Sequence, residues 1–339
     1  MMKRSANEIH AVMLNLGENM WCDWPLDPSA DAALGEKAPN RRLRTDESIW
    51  RAAVDLAVER KFNTLLIDVG DGVAYPSHPE LAVEGSWSPD RLRAELKRLR
   101  ALGLEPVPKL NFSNTHNGWL KEYRRMVSTP KYYQVCADLI RDIAEIFDRP
   151  RFLHIGCDEE TFGHQKQMNF TVVRQGELWW HDFLWLVSTV EKNGMRVWSW
   201  SDYGWYHPDF VTRCPKSVVQ LNGYYDEYLE GFDLDSPKLK ECRAWLELYV
   251  RLDKAGFDQI PCGSNWNSKI RKQRGPAVND SMVDLVAFCR RHVSAEHLKG
   301  FLMAPWVFSN TQKDLETIRE GFDIFRRSLD ENPGQGAAV

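Results

Sequence analysis

The stretch Phe152-Leu153-His154-Ile155-Gly156-Cys157-Asp158-Glu159-Glu160 is a short apolar run that stops abruptly in three carboxylates. An apolar strand holds its end rigidly, and acidic residues at that end are what acid/base chemistry needs. Asp158 and Glu159 are adjacent, so on a regular strand they would point to opposite faces. Both reach one pocket only if the strand has already turned into its loop, a turn that Gly156 eases. A helix N-terminus, where acids are common, is the plain alternative, and the rest of the chain has to decide.

The elements around this stretch repeat one theme. Strands are expected at Met13 to Leu16, Thr64 to Val69, Pro106 to Phe112, the opening stretch itself, Arg196 to Trp200, Val218 to Leu221, Gln259 to Pro261 and Gly300 to Ala304. Helices are expected between them. One spans about residues 46–60, capped by Thr45, and another is capped by Ser88 with Pro89 in its first position. A third starts at Thr129-Pro130 and reaches Ile146, and others lie at about 176–192, 238–255, 280–292 and 311–328. No convincing long helix lies between the fifth and sixth strands. Strand-then-helix alternation implies parallel pairing, and eight units close a (β/α)8 TIM barrel. The expected organisation is a single α/β barrel domain over residues 1–330, with a loose tail from 331 to 339. No G-x-G-x-x-G follows the first strand, so a dinucleotide site is not indicated.

In such a barrel the residues just past the strands converge. That gathers Asp68, Asp71, Asn111, His116, His154, Asp158, Glu159, Trp200, Asp202, Tyr224, Asp226, Asn265, Trp266, Asn267 and Trp306. Carboxylates amid indoles and amides suit a sugar pocket more than a metal cage, because two carboxyl groups in different environments can divide acid and stabiliser roles. The chain has 14 tryptophans, many just after expected strands, where indole faces suit stacking on sugars. Its 339 residues carry a net charge of -4, which gives no electrostatic case for nucleic acid or an anionic membrane as partner. No apolar run approaches a membrane span, and the basic start Met1 to Ser5 lacks the core of a signal peptide, which leaves the compartment open. The seven cysteines are scattered and form no C-x-x-C pair, arguing against a disulfide framework or zinc ribbon. His116 and His164 could join the acids in a divalent site, but no H-E-x-x-H spacing supports it, and no metal or cofactor is expected. Cys157 has no obvious base partner and reads as a small buried thiol.

His154-Ile155-Gly156-Cys157-Asp158-Glu159 resembles the His-x-Gly-Gly-Asp-Glu signature of the beta-N-acetylhexosaminidases, glycoside hydrolase family twenty. Trp200-Ser201-Asp202 is similar to that family's Trp-Asp-Glu element on strand five, and Tyr224-Tyr225-Asp226 to its Tyr-x-Asp element. Trp306 resembles the Trp that closes the pocket after strand eight, and Pro108 to His116 is loosely similar to the strand-three segment. The resemblance covers about residues 60 to 310, the catalytic barrel.

It implies substrate-assisted hydrolysis of a terminal 2-acetamido sugar, an exception to the two-carboxylate scheme. Glu159 would be the general acid and then the base. Asp158 would orient the acetamido N–H, and Tyr224 would donate its hydroxyl to the acetamido carbonyl oxygen. Trp200, Trp266 and Trp306 would wall the sugar ring and the acetamido methyl, and His154 would support Asp158 or Glu159 from behind, without touching the substrate. Asn111, His116, Asp68, Asp202 and Asp226 complete the expected carbohydrate-binding set. Three departures stand out. Cys157 replaces the second Gly of the motif, Glu18 and Asn19 stand after strand one where the family has an Arg, and Phe308 replaces an acid two residues after the last Trp. Two alternatives remain open here. One is a two-carboxylate glycosidase pairing Glu159 with Asp202 or Asp226 on a sugar without the acetamido group. The other is a sugar-binding barrel that has lost catalysis. The basic run Lys269 to Arg274 could meet an acidic sugar but reads first as a solvated loop.

Overall fold

A computed structural model of the chain describes residues 8–23, 37–225, 243–266 and 281–334. Its strands are β1 (Ile9–Asn15), β2 (Thr64–Asp68), β3 (Glu105–Lys109), β4 (Phe152–His154), β5 (Arg196–Trp200), β6 (Val219–Leu221), β7 (Cys262–Gly263) and β8 (Gly300–Met303). They pair in parallel in the order β6-β5-β4-β3-β2-β1-β8-β7. Isolated bridges from Gln220 to Gln259 and from Gly223 to Cys262 bring β6 beside β7 and complete the circle. The architecture is a (β/α)8 TIM barrel.

The outer helices are α1 (Glu47–Glu59), α2 (Pro89–Ala101), α3 (Pro130–Ile146), α4 (Gly176–Lys192), α5 (Tyr203–Tyr206), α6 (Phe210–Arg213), α7 (Arg243–Lys254), α8 (Ser281–His292) and α9 (Gln312–Glu331). The two single turns α5 and α6 are all that joins β5 to β6, with Pro208 between them. Ser88 caps α2 and Thr129 caps α3 through their hydroxyls, each followed by Pro. The cap of α1 is Asp46, not Thr45. The Asp46 carboxylate takes the Ser48 and Ile49 N–H groups, while the Thr45 hydroxyl donates to the Leu16 carbonyl at 3.0 Å and ties the helix start to β1. The seventh strand lies just beyond Gln259-Ile260-Pro261, because Pro261 has no N–H to give a ladder. The last helix runs through Glu331, the first residue assigned to the expected tail.

Period-two alternation sorts the strand residues. Ile9, Ala11, Met13, Leu66, Val107, Phe152, Trp198, Trp200, Val219, Leu221, Cys262 and Leu302 form a cluster made of strand and post-strand residues alone, the interior of the barrel. Val12, Leu14, Leu65, Ile67, Leu153, Ile155, Val197, Val218, Phe301 and Met303 face outward and pack with the helices. This parity carries past the strand ends. Asp68, Lys109 and His154 have the inward parity of Leu66, Val107 and Phe152, so the top of the interior is polar.

Candidate active site

The chain leaves β4 through a run of left-handed residues. φ is +78° at Gly156, +72° at Cys157 and +50° at Glu159. A Cβ on Gly156 would sit 1.9 Å from the Asn111 side-chain oxygen, so glycine is required there. Cys157 and Glu159 hold this conformation at a cost on the order of 1 kcal/mol each. The turn is what brings two adjacent carboxylates into one site, and several bonds fix it. The Trp200 N–H and the Ser199 hydroxyl donate to the Gly156 carbonyl at 3.1 and 3.0 Å. The Ser113 hydroxyl donates to the Asp158 carbonyl, and the Thr115 hydroxyl to that of Glu159 at 2.7 Å. The Glu159 N–H donates to Asp202 at 3.2 Å.

Asp158 is buried, takes a hydrogen bond from the Asn111 amide at 3.1 Å and lies 3.1 Å from His116 Nδ1. Burial opposes its charge, but the His116 imidazolium, Lys109 and Asn111 outweigh that and hold the carboxyl well below the usual Asp range. His116 is raised in turn: burial pulls it down, and Asp158 and Glu159 more than offset the pull. Glu159 is half-exposed, with one carboxylate oxygen 3.7 Å from His116 Nε2 and the other 3.6 Å from His164 Nε2. The two neighbours therefore differ in kind: one carboxylate is sunk and fixed as an anion, the other stands at an open cavity between two imidazoles.

His154 lies behind the carboxylates, as expected, and acts on the turn that carries them. Its Nδ1 accepts the Gly156 N–H at 3.1 Å, its ring meets Trp198 and Trp200 edge-on, and burial drives it well towards the neutral form. His154 thus shapes the turn, and the imidazole that touches Asp158 and Glu159 is His116. Asp68 forms a buried ion pair with Lys109, whose ammonium lies 5.9 Å from the Trp306 ring. Trp306 (φ +53°) packs on Trp200 with ring centroids 5.7 Å apart.

A cavity of about 450 Å³ opens beside Glu159, lined among others by Asp202, Tyr203, Trp205, Tyr225, Trp245 and Trp266. Trp266 is 54% exposed at its rim. Tyr224 does not face this cavity. It lies 1% exposed in the outer packing layer, against Trp245. Its neighbour Tyr225 lines the cavity and packs edge-on to Trp306. Parity explains the exchange: Val219 and Leu221 point inward, so Gly223 and Tyr225 do too. Asp226, Asn267 and the run Lys269 to Arg274 lie outside the described residues.

Other expected residues serve the frame. Asp71 accepts from the Asn19 amide and the Glu18 N–H, and Asn265 donates to Thr317 and Glu320 of α9. Glu160 takes two bonds from buried Arg174, at 2.6 and 3.0 Å, and Arg174 also reaches Asp182 at 2.9 Å. This network anchors the loop after β4. After β1, Glu18 is buried against Arg44, their atoms 2.8 Å apart, and the Arg44 guanidinium lies 4.3 Å from the Phe308 ring centroid. Burial, with Asp71 adding and Arg44 offsetting part, pushes the Glu18 carboxyl up to about 8. Lys109 was legible by parity with Asp68. Arg174 and Trp205 lie in loops that no periodicity marks. Among the described residues no group of three His, Cys, Asp or Glu side chains is arranged to hold a metal ion.

Fold and site together define a class: a (β/α)8 barrel that gathers carboxylates and aromatic rings at the carboxyl ends of its strands. No protein-family description matches the chain, and no curated protein matches its sequence. Solved structures of similar fold are beta-N-acetylhexosaminidases of glycoside hydrolase family 20 and related proteins. The Streptomyces coelicolor beta-N-acetylhexosaminidase of that family superposes with a TM-score of 0.61 at 13% identity, over 97% of this chain and 65% of the other. The Flavobacterium johnsoniae chitobiase gives 0.55 at 15%, over 86% and 49%. Dispersin B gives 0.55 at 11%, over 96% and 99%. The chain thus spans about half to two thirds of the first two proteins and nearly all of the third. At these identities the likeness is one of fold.

Proposed function

We propose that the protein is a glycoside hydrolase that acts on a terminal 2-acetamido sugar, with the substrate's own acetamido group as nucleophile. One observation carries this reading: Asp158 is held as a buried anion by His116 and Asn111, directly beside a Glu159 that faces an open cavity. A fixed anion suits an acetamido N–H, which it orients and whose developing positive charge it stabilises. Glu159 protonates the glycosidic oxygen as the bond to the anomeric carbon breaks, and the acetamido carbonyl oxygen forms the new bond there. Glu159 then takes a proton from the water that opens the oxazolinium-type intermediate. Tyr225, which lines the cavity, would donate to the acetamido oxygen in place of Tyr224, exchanging its contact with the Cys262 sulfur at 3.9 Å. Trp266 at the rim would wall the sugar, with Trp306 packed against Tyr225 and against Trp200, outside the cavity lining. The neighbouring folds, which include enzymes described as acting on N-acetylhexosaminides, support the same ligand class. In the two-carboxylate alternative, burial beside Asp158 and Glu159 raises Asp202 well above the Asp range, so Asp202 would be the acid and Glu159 the nucleophile, and no acetamido group would be needed.

The test is turnover of aryl glycosides with and without the 2-acetamido group, with a thiazoline mimic of the intermediate as inhibitor. Hydrolysis of the acetamido substrate alone, tight thiazoline inhibition and a loss on the order of 10²–10⁴-fold in Glu159→Gln are expected. Sugar binding without turnover would leave a lectin-like barrel, and full activity in Glu159→Gln would remove Glu159 from the chemistry.

A further inference from the structure

Among the described residues Asp202 has no counter-charge. Its neighbours in the site are paired: Asp158 with His116, Asp68 with Lys109, Glu160 with Arg174. Among the described residues no Lys, Arg or His lies within ion-pairing distance of Asp202, although it lines the same cavity as Glu159. The titratable groups that act on it come from every side of the cavity. Asp158 and Glu159 press on it from the loop after β4. Tyr225 after β6, Cys262 on β7 and Tyr249 on α7 lie within electrostatic reach of it, and all three are raised, mainly by burial, so they stay neutral at ordinary pH and offer it no compensating cation. From its own segment, Tyr203 and His207 share the cavity wall. Its Oδ2 accepts the Glu159 N–H at 3.2 Å. That bond holds the peptide of a residue whose φ is +50°, so Asp202 acts on the angle at which Glu159 enters the cavity.

We propose that Asp202 is a positioning residue that works as a neutral carboxylic acid, one oxygen holding the Glu159 peptide and the other presenting its proton to the cavity. This rests on the reading of Glu159 as the general acid/base. A neutral acid fits because a second anion beside Asp158 and Glu159 would be uncompensated, and ionisation would convert the proton donor into a repulsive acceptor. Activity then requires two protons on the alkaline side, one on Glu159 and one on Asp202.

Two measurements on the full chain test it. The first is an isotope-edited infrared difference between wild type and Asp202→Asn, which reads the protonation of Asp202 without any turnover. A protonated carboxyl band at pH 7 is expected, and a carboxylate band there overturns the proposal whether or not the enzyme reading holds. The second is log(kcat/KM) against pH on an aryl 2-acetamido glycoside. Wild type should approach a slope of about −2 on the alkaline limb, and Asp202→Asn about −1. Asp202→Ala, which loses the bond to Glu159, should be lower than Asp202→Asn by on the order of tenfold. Equal slopes in wild type and Asp202→Asn, or equal losses in the Asn and Ala variants, overturn the positioning role. If Glu159→Gln is fully active, the parent reading has failed, and the infrared band still decides the charge of Asp202.

Discussion

The ion pair between His116 and Asp158 gives the sharpest quantitative handle on this site. At 3.1 Å the attraction is about 5 kcal/mol for an effective dielectric near 20. Desolvation of both groups offsets much of that, so the pair as a whole adds little. Removing one partner is different: it strands a buried charge and costs about 3–5 kcal/mol. We expect His116→Gln and Asp158→Asn each to lower unfolding stability by about 3 kcal/mol at pH 6. The double variant, which strands nothing, should cost less than the sum by at least about 1.5 kcal/mol. Chemical denaturation of the four proteins closes the cycle. The pH dependence follows from the signs. Asp158 is lowered from its usual 3.8, so its share is present above that value and is lost as pH falls below it. His116 is raised from 6.5, so its share is present below 6.5 and is lost as pH rises through the raised value. The coupling energy should therefore be largest between pH 3.8 and 6.5. Additive effects within about 0.5 kcal/mol, or a coupling flat from acid to alkaline pH, would refute the pairing.

Glu18 offers a second pH test of opposite kind. Its folded carboxyl stands near 8 against an ordinary 4.5, so unfolding releases a proton between those values and stability falls as pH rises across them. The full shift corresponds to an upper bound of about 5 kcal/mol. Glu18→Gln should match wild type near pH 5 and exceed it near pH 8 in urea unfolding; an unchanged pH slope would show that burial of Glu18 is not what shifts it. The two adjacent tyrosines separate chemistry from packing. Tyr225→Phe should lose on the order of 10²-fold in kcat on a 2-acetamido glycoside, and Tyr224→Phe far less. The reverse order would return the phenol role to Tyr224.

Much of this barrel is legible in local sequence. The Ser88-Pro89 and Thr129-Pro130 starts mark α2 and α3, and the apolar runs mark β2, β5 and β8 closely, because caps and buried parallel strands are written in a few neighbouring residues. The adjacency of Asp158 and Glu159 at the end of such a run is likewise visible, as is a glycine that eases the turn before them; that no other residue fits there is set by Asn111 after β3. What sequence could not assign was the direction of side chains beyond the strand ends. Tyr224 and Tyr225 are chemically identical neighbours, and only the register of β6 against β7 turns the second one inward. That His116, and not the nearer His154, meets the carboxylates has the same origin. His154 sits beside the carboxylates in sequence, but the left-handed turn at Gly156 and Cys157 carries Asp158 away from it and towards a loop from β3. Pairings such as Lys109 with Asp68 and Arg174 with Glu160 join different strands and loops. They decide which carboxylates in this site are compensated and which, like Asp202 among the described residues, are not. Charge compensation depends on distances across the barrel, and only closure of the eight strands sets those distances.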